Sequence, residues 1–259
     1  MEIAETIRFA ALLVFIYMTA LFFVALKRHD NSIADVAWGM GFVLVSWTTL
    51  LLFGEFTNRQ VIANVFVLIW GVRLSSRIYF RNHGKGEDVR YRRWREEWGR
   101  SFIVRSYFQV FILQGFLMLL NLSSVLFINA GDAATLTLMD GFGVLVWVVG
   151  FCFEAVADWQ LDRFMKDPCN RGIIMDRGLW RYSRHPNYFG EVVMWWGIYM
   201  IALSAPWGWI SFFGPVTITF LIIFVSGIPM TEKLMEKNPS FAEYRKRTSV
   251  FIPWFPKDS

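Results

Sequence analysis

The chain has 259 residues, a net charge of +5, 55% apolar side chains, 18% aromatic side chains (13 Trp and 26 Phe among them) and a mean hydropathy of +0.39. A water-soluble domain has no use for so much large apolar surface, and several runs approach the roughly 20 residues that cross a hydrocarbon core, so the sequence predicts an integral membrane protein. The positive charge is no sign of a nucleic-acid partner, because the basic residues gather in loops between apolar runs.

Seven apolar segments follow in chain order, at about 7–26, 36–53, 61–79, 106–128, 141–161, 188–204 and 207–228. The first lacks a small-residue cleavage site and reads as a retained span. The third ends in RLSSRIYF and the sixth is short. Loop 1–2, loop 3–4, loop 5–6 and the tail hold all but three of the 26 Lys and Arg, the exceptions being Arg8, Arg59 and Arg73. The loops NAGDAATLTLMD and SAPWGW carry none. Under the positive-inside rule this gives an all-α, polytopic bundle of about seven transmembrane helices, N-terminus outside and C-terminus cytosolic. No linker divides the chain, so 1–259 reads as one membrane domain, with membrane lipids as partners. Cys152 and Cys169 offer no disulfide framework.

The fifth span leaves the membrane as FEAVADWQLDRFMKDPCNRG, in which Glu154, Asp158 and Asp162 share one helix face. A carboxylate inside a span is costly and is a functional candidate; Asp162 also reads as a headgroup-level residue. Arg163 and Lys166 follow, and Asp167-Pro168 ends the helix. Next comes GLWRYSRHPNYFGE at 178–191. Pro186 suits a first helical turn, so a helix is predicted to begin at His185–Asn187. Its free N–H groups favour an anion, with Arg181 and Arg184 alongside. Asn187 and Glu191 face the same way, and an anion site beside a carboxylate and an amide suits a nucleotide; a snorkelling basic flank explains the arginines alone. Glu232 closes the seventh span, and Arg245, Lys246 and Arg247 suit phosphate or anionic lipid equally. Three histidines are too few for a histidine-box iron centre, and there is no HExxH, CxxC pair, GxGxxG or Walker A motif.

These residues carry a resemblance. Asp158, the run Arg184-His185-Pro186-Asn187-Tyr188-Phe189-Gly190-Glu191, then Glu232, Tyr244 and Ile252-Pro253 resemble the C-terminal domain of the steroid 5α-reductase and sterol reductase superfamily. The likeness is greatest to its bacterial branch, a domain of unknown function of the DUF1295 type, over residues 141–256. FILQGFLMLL at 111–120 is a further, fainter match. The resemblance implies a helix bundle in the bacterial inner membrane that holds NADPH in a cytosol-facing cavity. It makes Asn187 and Glu191 nicotinamide-side ligands, Asp158 a ribose or amide contact, and Arg163, Lys166, Arg181 and Arg184 phosphate contacts. His185, Tyr188, Glu232 and Tyr244 complete the cofactor set, and residues 1–130 become the substrate side.

It also implies reduction of a conjugated C=C bond in a lipophilic steroid-, sterol- or enoyl-like substrate. The alternative is an S-adenosylmethionine-dependent methyltransferase of the isoprenylcysteine or phospholipid type, which shares the R-H-P-x-Y run. Steroid 5α-reductases carry a Gln-Glu pair in an early span and a Tyr later. Here the second span has no such pair, and Leu74 stands where that Tyr would fall. Asp35, Asp88 and Tyr91 are the candidate catalytic groups instead; a solvated loop over 84–94 is the competing reading.

Overall fold

The computed structural model describes residues 2–132 and 135–257, and no strand occurs among them. Eleven α-helices follow one another: α1 (Glu2–Arg28), α2 (Ile33–Phe53), α3 (Asn58–Asn82), α4 (Val89–Trp98), α5 (Phe102–Arg105), α6 (Leu113–Asn129), α7 (Leu138–Lys166), α8 (Pro186–Ala202), α9 (Phe213–Phe220), α10 (Ile228–Met235) and α11 (Phe241–Arg247). Six stretches are long and apolar enough to cross a membrane: 3–28, 33–53, 58–82, 89–129, 138–166 and 208–235. The protein is an integral membrane protein.

The predicted sixth span is α8, whose 17 residues leave it outside those six. Two other spans differ from their hydropathy outline. The fourth begins well before residue 106, because the charged α4 leads through α5 and a π-helical stretch (Ser106–Ile112) into α6 without leaving the helical path. Hydropathy misses α4, since six of the ten residues of VRYRRWREEW are Arg or Glu. The seventh is broken: α9 passes into a π-helical stretch (Leu221–Val225), and Ser226-Gly227 turns the chain before Pro229 opens α10. Glu232 therefore stands on α10 beyond a break.

The chain forms two compact units, 1–140 with 201–214, and 141–200 with 215–259. In the first, α2 and α3 meet where both lack side chains: a Cβ at Gly39 would come within 2.5 Å of the Gly71 carbonyl oxygen. Thr57 and Gln60 form a capping box at the start of α3. Arg59, one of the three basic residues outside the basic loops and tail, is buried against Asp140, with Nε–Oδ1 at 2.8 Å and Nη2–Oδ2 at 2.9 Å. A paired geometry of this kind lets two charges leave water together. Ala133 and Ala134, in the loop just before Asp140, lie outside the described residues.

In the second unit, α7 and α8 run antiparallel along glycines spaced by seven. A Cβ at Gly190 would lie 2.5 Å from the Glu154 nitrogen and from the Gly150 oxygen, and one at Gly197 would lie 2.7 Å from the Trp147 nitrogen. Contact between backbones, which only small residues permit, is how helices pack where lipid supplies no hydrophobic drive. Gly190→Ala should destabilise the protein by about 1–3 kcal/mol, since the atoms met are backbone and cannot swing away. Gly141→Ala on the same α7 meets nothing within 4 Å. It should be neutral or stabilising by up to about 1 kcal/mol. Thermal unfolding of the two variants in detergent checks the contrast; equal melting temperatures would remove the glycine seam as a structural requirement.

Candidate functional site

α8 starts at Pro186, as its sequence predicts, and α7 ends at Lys166 before Asp167-Pro168. The glycine seam brings the polar ends of the two helices together. Nδ2 of Asn187 donates to Oδ1 of Asp158 at 3.1 Å. A carboxylate only accepts, so this bond fixes which way the amide points. Oδ1 of Asn187 is left buried and takes no hydrogen bond from any described residue. Asp158 and Glu154 are buried on the predicted shared face, whereas Asp162 is exposed. Glu191 lies one turn beyond Asn187, half-buried.

Arg184 and His185 are drawn the other way. Arg184 is 6% exposed. Its Nε donates to Glu232 Oε1 at 2.7 Å, its Nη1 to the carbonyls of Thr248 (2.7 Å) and Arg245 (3.1 Å), and its backbone N–H to the Ser249 carbonyl at 2.8 Å. The tail then runs beside 182–184: Ser183 Oγ donates to the Phe251 carbonyl, and the Trp254 N–H to that of Tyr182. Tyr244 is buried and donates to the Trp180 carbonyl at 2.6 Å; burial pushes its phenol well above the ordinary range. Arg184, Glu232 and Tyr244 thus clasp the tail to the start of α8. The sequence signals of the clasp are the late Tyr and the Ile-Pro, whose purpose only the fold displays. By contrast Arg163, Lys166 and Arg181 are exposed, and Arg163 lies over the Trp159 ring at 5.6 Å.

His185 is buried, stacks on Tyr188 (5.5 Å, 14°) and approaches Glu232 Oε1 with Nε2 at 3.2 Å. Burial pushes its pKa down to about 4, against the pull of Glu232 and with the help of Arg184. The imidazole is neutral near pH 7, and facing a carboxylate it carries its proton on Nε2. With the folded pKa below the unfolded 6.5, protonation favours the unfolded chain, so stability is held above about pH 6.5 and lost as pH falls towards 4. His185→Gln keeps a donor and does not titrate. Between pH 7 and pH 4.5 it should lose less melting temperature than the parent; parallel curves would show that folding does not shift the pKa of His185.

The first unit holds a second cluster. Tyr91 is 2% exposed, so the solvated-loop reading does not hold for it. Its hydroxyl donates to Asp35 Oδ1 at 2.7 Å, and Gln114 Nε2 reaches the same hydroxyl at 3.5 Å. Arg90 Nη2 donates to Asp35 Oδ2 at 2.5 Å. Asp88, expected as an acid, caps α4: its Oδ1 accepts from the Arg90 N–H at 2.9 Å and from Arg90 Nε at 3.0 Å. Burial raises its pKa, but those bonds and the charges of Arg90 and Arg81 outweigh it and hold the carboxyl below the ordinary range. A carboxyl held ionised is a poor proton donor. Glu87, paired with Arg95 and with the Asn31 N–H, and Ser32, which accepts from the Asp88 N–H, complete the cluster's frame. Gln114 stands within the faint 111–120 match, but nothing in the sequence joins it to Tyr91.

Comparison with known proteins places the chain. The family described as "Protein of unknown function (DUF1295)" matches residues 21–248. The chain belongs to the DUF1295 family. Among curated proteins, this DUF1295 chain is 25% identical to an uncharacterized protein of Schizosaccharomyces pombe, over 93% of its own length and 78% of the relative's. It is 31% identical to the 3-oxo-5-alpha-steroid 4-dehydrogenase 1 of Bos taurus over 113 residues, 43% of this chain and 40% of that relative. No solved structure matches. The resemblance to the steroid 5α-reductase-like superfamily stands on the family match and on the bovine relative.

Proposed function

We propose that this DUF1295 protein is an NADPH-dependent membrane reductase of a conjugated C=C bond in a lipophilic substrate. The observation that carries the reading is the amide of Asn187, fixed by Asp158 so that a buried acceptor oxygen stays open at the start of α8, with Glu191 one turn on. That acceptor suits the carboxamide N–H of a nicotinamide, and Arg163, Lys166 and Arg181 are exposed cations suited to its phosphates. When bound, such a cofactor supplies a hydride. The bovine relative's name describes hydrogen removal from a 3-oxo-5-alpha-steroid at position 4, and the reverse of that step is reduction of a double bond conjugated to a ketone. The chain's own share of the chemistry is the proton: Tyr91 is the donor, its hydroxyl proton directed to Asp35 in this structure and passing to the substrate once that hydroxyl turns from Asp35, which Arg90 anchors. The bacterial inner membrane, with the cofactor residues on the cytosolic side, is the setting that the loop charges favour.

Calorimetry in mild detergent tests the reading. NADPH should bind more tightly than NADH, because the extra 2′-phosphate gains charge-assisted bonds, and salt should shrink the difference. Lys166→Glu should narrow the gap while changing NADH binding less. Tight binding of S-adenosylmethionine with no NADPH heat would replace the reductase by a methyltransferase.

A further inference from the structure

The cluster around Tyr91 has a gap in its hydrogen bonding, and donor–acceptor bookkeeping shows what fits it. Tyr91 has one hydroxyl proton, and that proton goes to Asp35. Gln114 can meet the Tyr91 oxygen only as a donor, through Nε2, so its Oε1 points away from that bond. Oε1 is buried and accepts nothing from any described residue, although Gln114 as a whole is only half-buried. The acceptor therefore lies just beneath the surface. The neighbouring donors are committed: Arg90 to Asp35 and Asp88, Arg95 to Glu87, and Asn31 Nδ2 to Ser106 Oγ at 2.7 Å. A buried acceptor without a donor is costly, and none of these bonds leaves its donor to Gln114 Oε1.

The surroundings are flat and apolar. Tyr91 meets Trp94 edge-on at 5.5 Å, Trp94 stacks on Trp98 at 5.3 Å and 11°, and Trp98 tilts against Phe102 at 6.1 Å. Trp94 and Trp98 are half-buried, which leaves part of this row open. Gln114 stands two residues past the π-helical stretch 106–112, a rare distortion that recurs where helices carry function.

We infer that Asp35, Tyr91 and Gln114 form a recognition site for a lipophilic alcohol, whose hydroxyl donates to Gln114 Oε1 while its apolar body lies along Trp94 and Trp98. The hydroxyl is a handle separate from the reducible bond, and the assignment rests on the reading of this cluster as the substrate's. An acceptor with no donor of its own favours a ligand with an O–H over one that offers only lone pairs.

The test needs no cofactor. Three probes on one ring skeleton are titrated into the full chain in detergent by tryptophan quenching: a 3-hydroxysterol, its 3-methyl ether and the 3-ketone. The alcohol should bind about tenfold more tightly than the other two. Gln114→Met should bring the alcohol down to the level of the ether and leave the ether unchanged. Equal affinity of the three probes for the unaltered protein, or a preference for the ketone, overturns the inference without recourse to any variant. Because the readout is binding alone, absence of NADPH oxidation would sink the reductase and leave an alcohol preference standing.

Discussion

Replacing Tyr91 by Phe should lower the rate of NADPH-dependent reduction of a lipophilic conjugated-enone probe that also carries a hydroxyl group by about 10²–10⁴-fold, the usual contribution of a positioned acid. NADPH affinity should stay as it was, because the residues proposed to hold the cofactor lie on α7 and α8. The loss of one buried hydroxyl should cost only about 1 kcal/mol of stability, since Asp35 retains Arg90. Asp35→Asn should impair turnover less: the amide oxygen would still accept from the Tyr91 hydroxyl, but would meet Arg90 without a charge. Its effect should appear in the pH profile rather than in the affinity for the probe. Single-turnover rates in H2O and D2O separate the outcomes. Wild-type turnover in Tyr91→Phe would remove the residue from the chemistry.

Replacing Arg184 by Met should cost about 3–5 kcal/mol, because it strands the Glu232 carboxylate in a site only 12% exposed and releases the Thr248 and Arg245 carbonyls. For a chain of this size that is a fall in melting temperature of about 10 °C. Glu232→Leu in the same background should recover much of the loss, since two well-packed apolar side chains replace a buried ion pair better than one charge left alone. Arg181→Met, on an exposed side chain, should change stability by no more than about 0.5 kcal/mol. Differential scanning in detergent, with NADPH binding measured on the same samples, distinguishes the roles. If Arg184→Met melted with the parent and lost only NADPH, the side chain would be a phosphate ligand rather than the clasp on the tail.

Helicity and membrane residence are legible in the chain alone, because hydropathy summed over twenty residues is a local quantity that needs no partner. The ends of α7 and α8 are legible too, since Asp167-Pro168 and Pro186 act through backbone geometry fixed within a few residues. The run from Arg184 to Glu191 and its acid partners read as a polar site for the same reason, as a cost that an apolar environment imposes on each residue separately.

Which of those polar groups stay open is settled by packing. Arg184, named by its motif as a phosphate contact, spends its donors on Glu232 and the tail, residues far along the chain, and no local pattern announces that claim. Asn187 keeps an open oxygen only because close backbone approach at Gly150 and Gly190 sets α8 against Asp158. Tyr91 reads as part of a charged loop until α4 forms as a helix and delivers its hydroxyl to Asp35 and Gln114, residues 56 and 23 positions away. Hydrogen-bond satisfaction is a property of the whole packed set of groups. A sequence names the donors and acceptors, and the fold alone decides that Asn187 Oδ1 and Gln114 Oε1 meet no donor among the described residues.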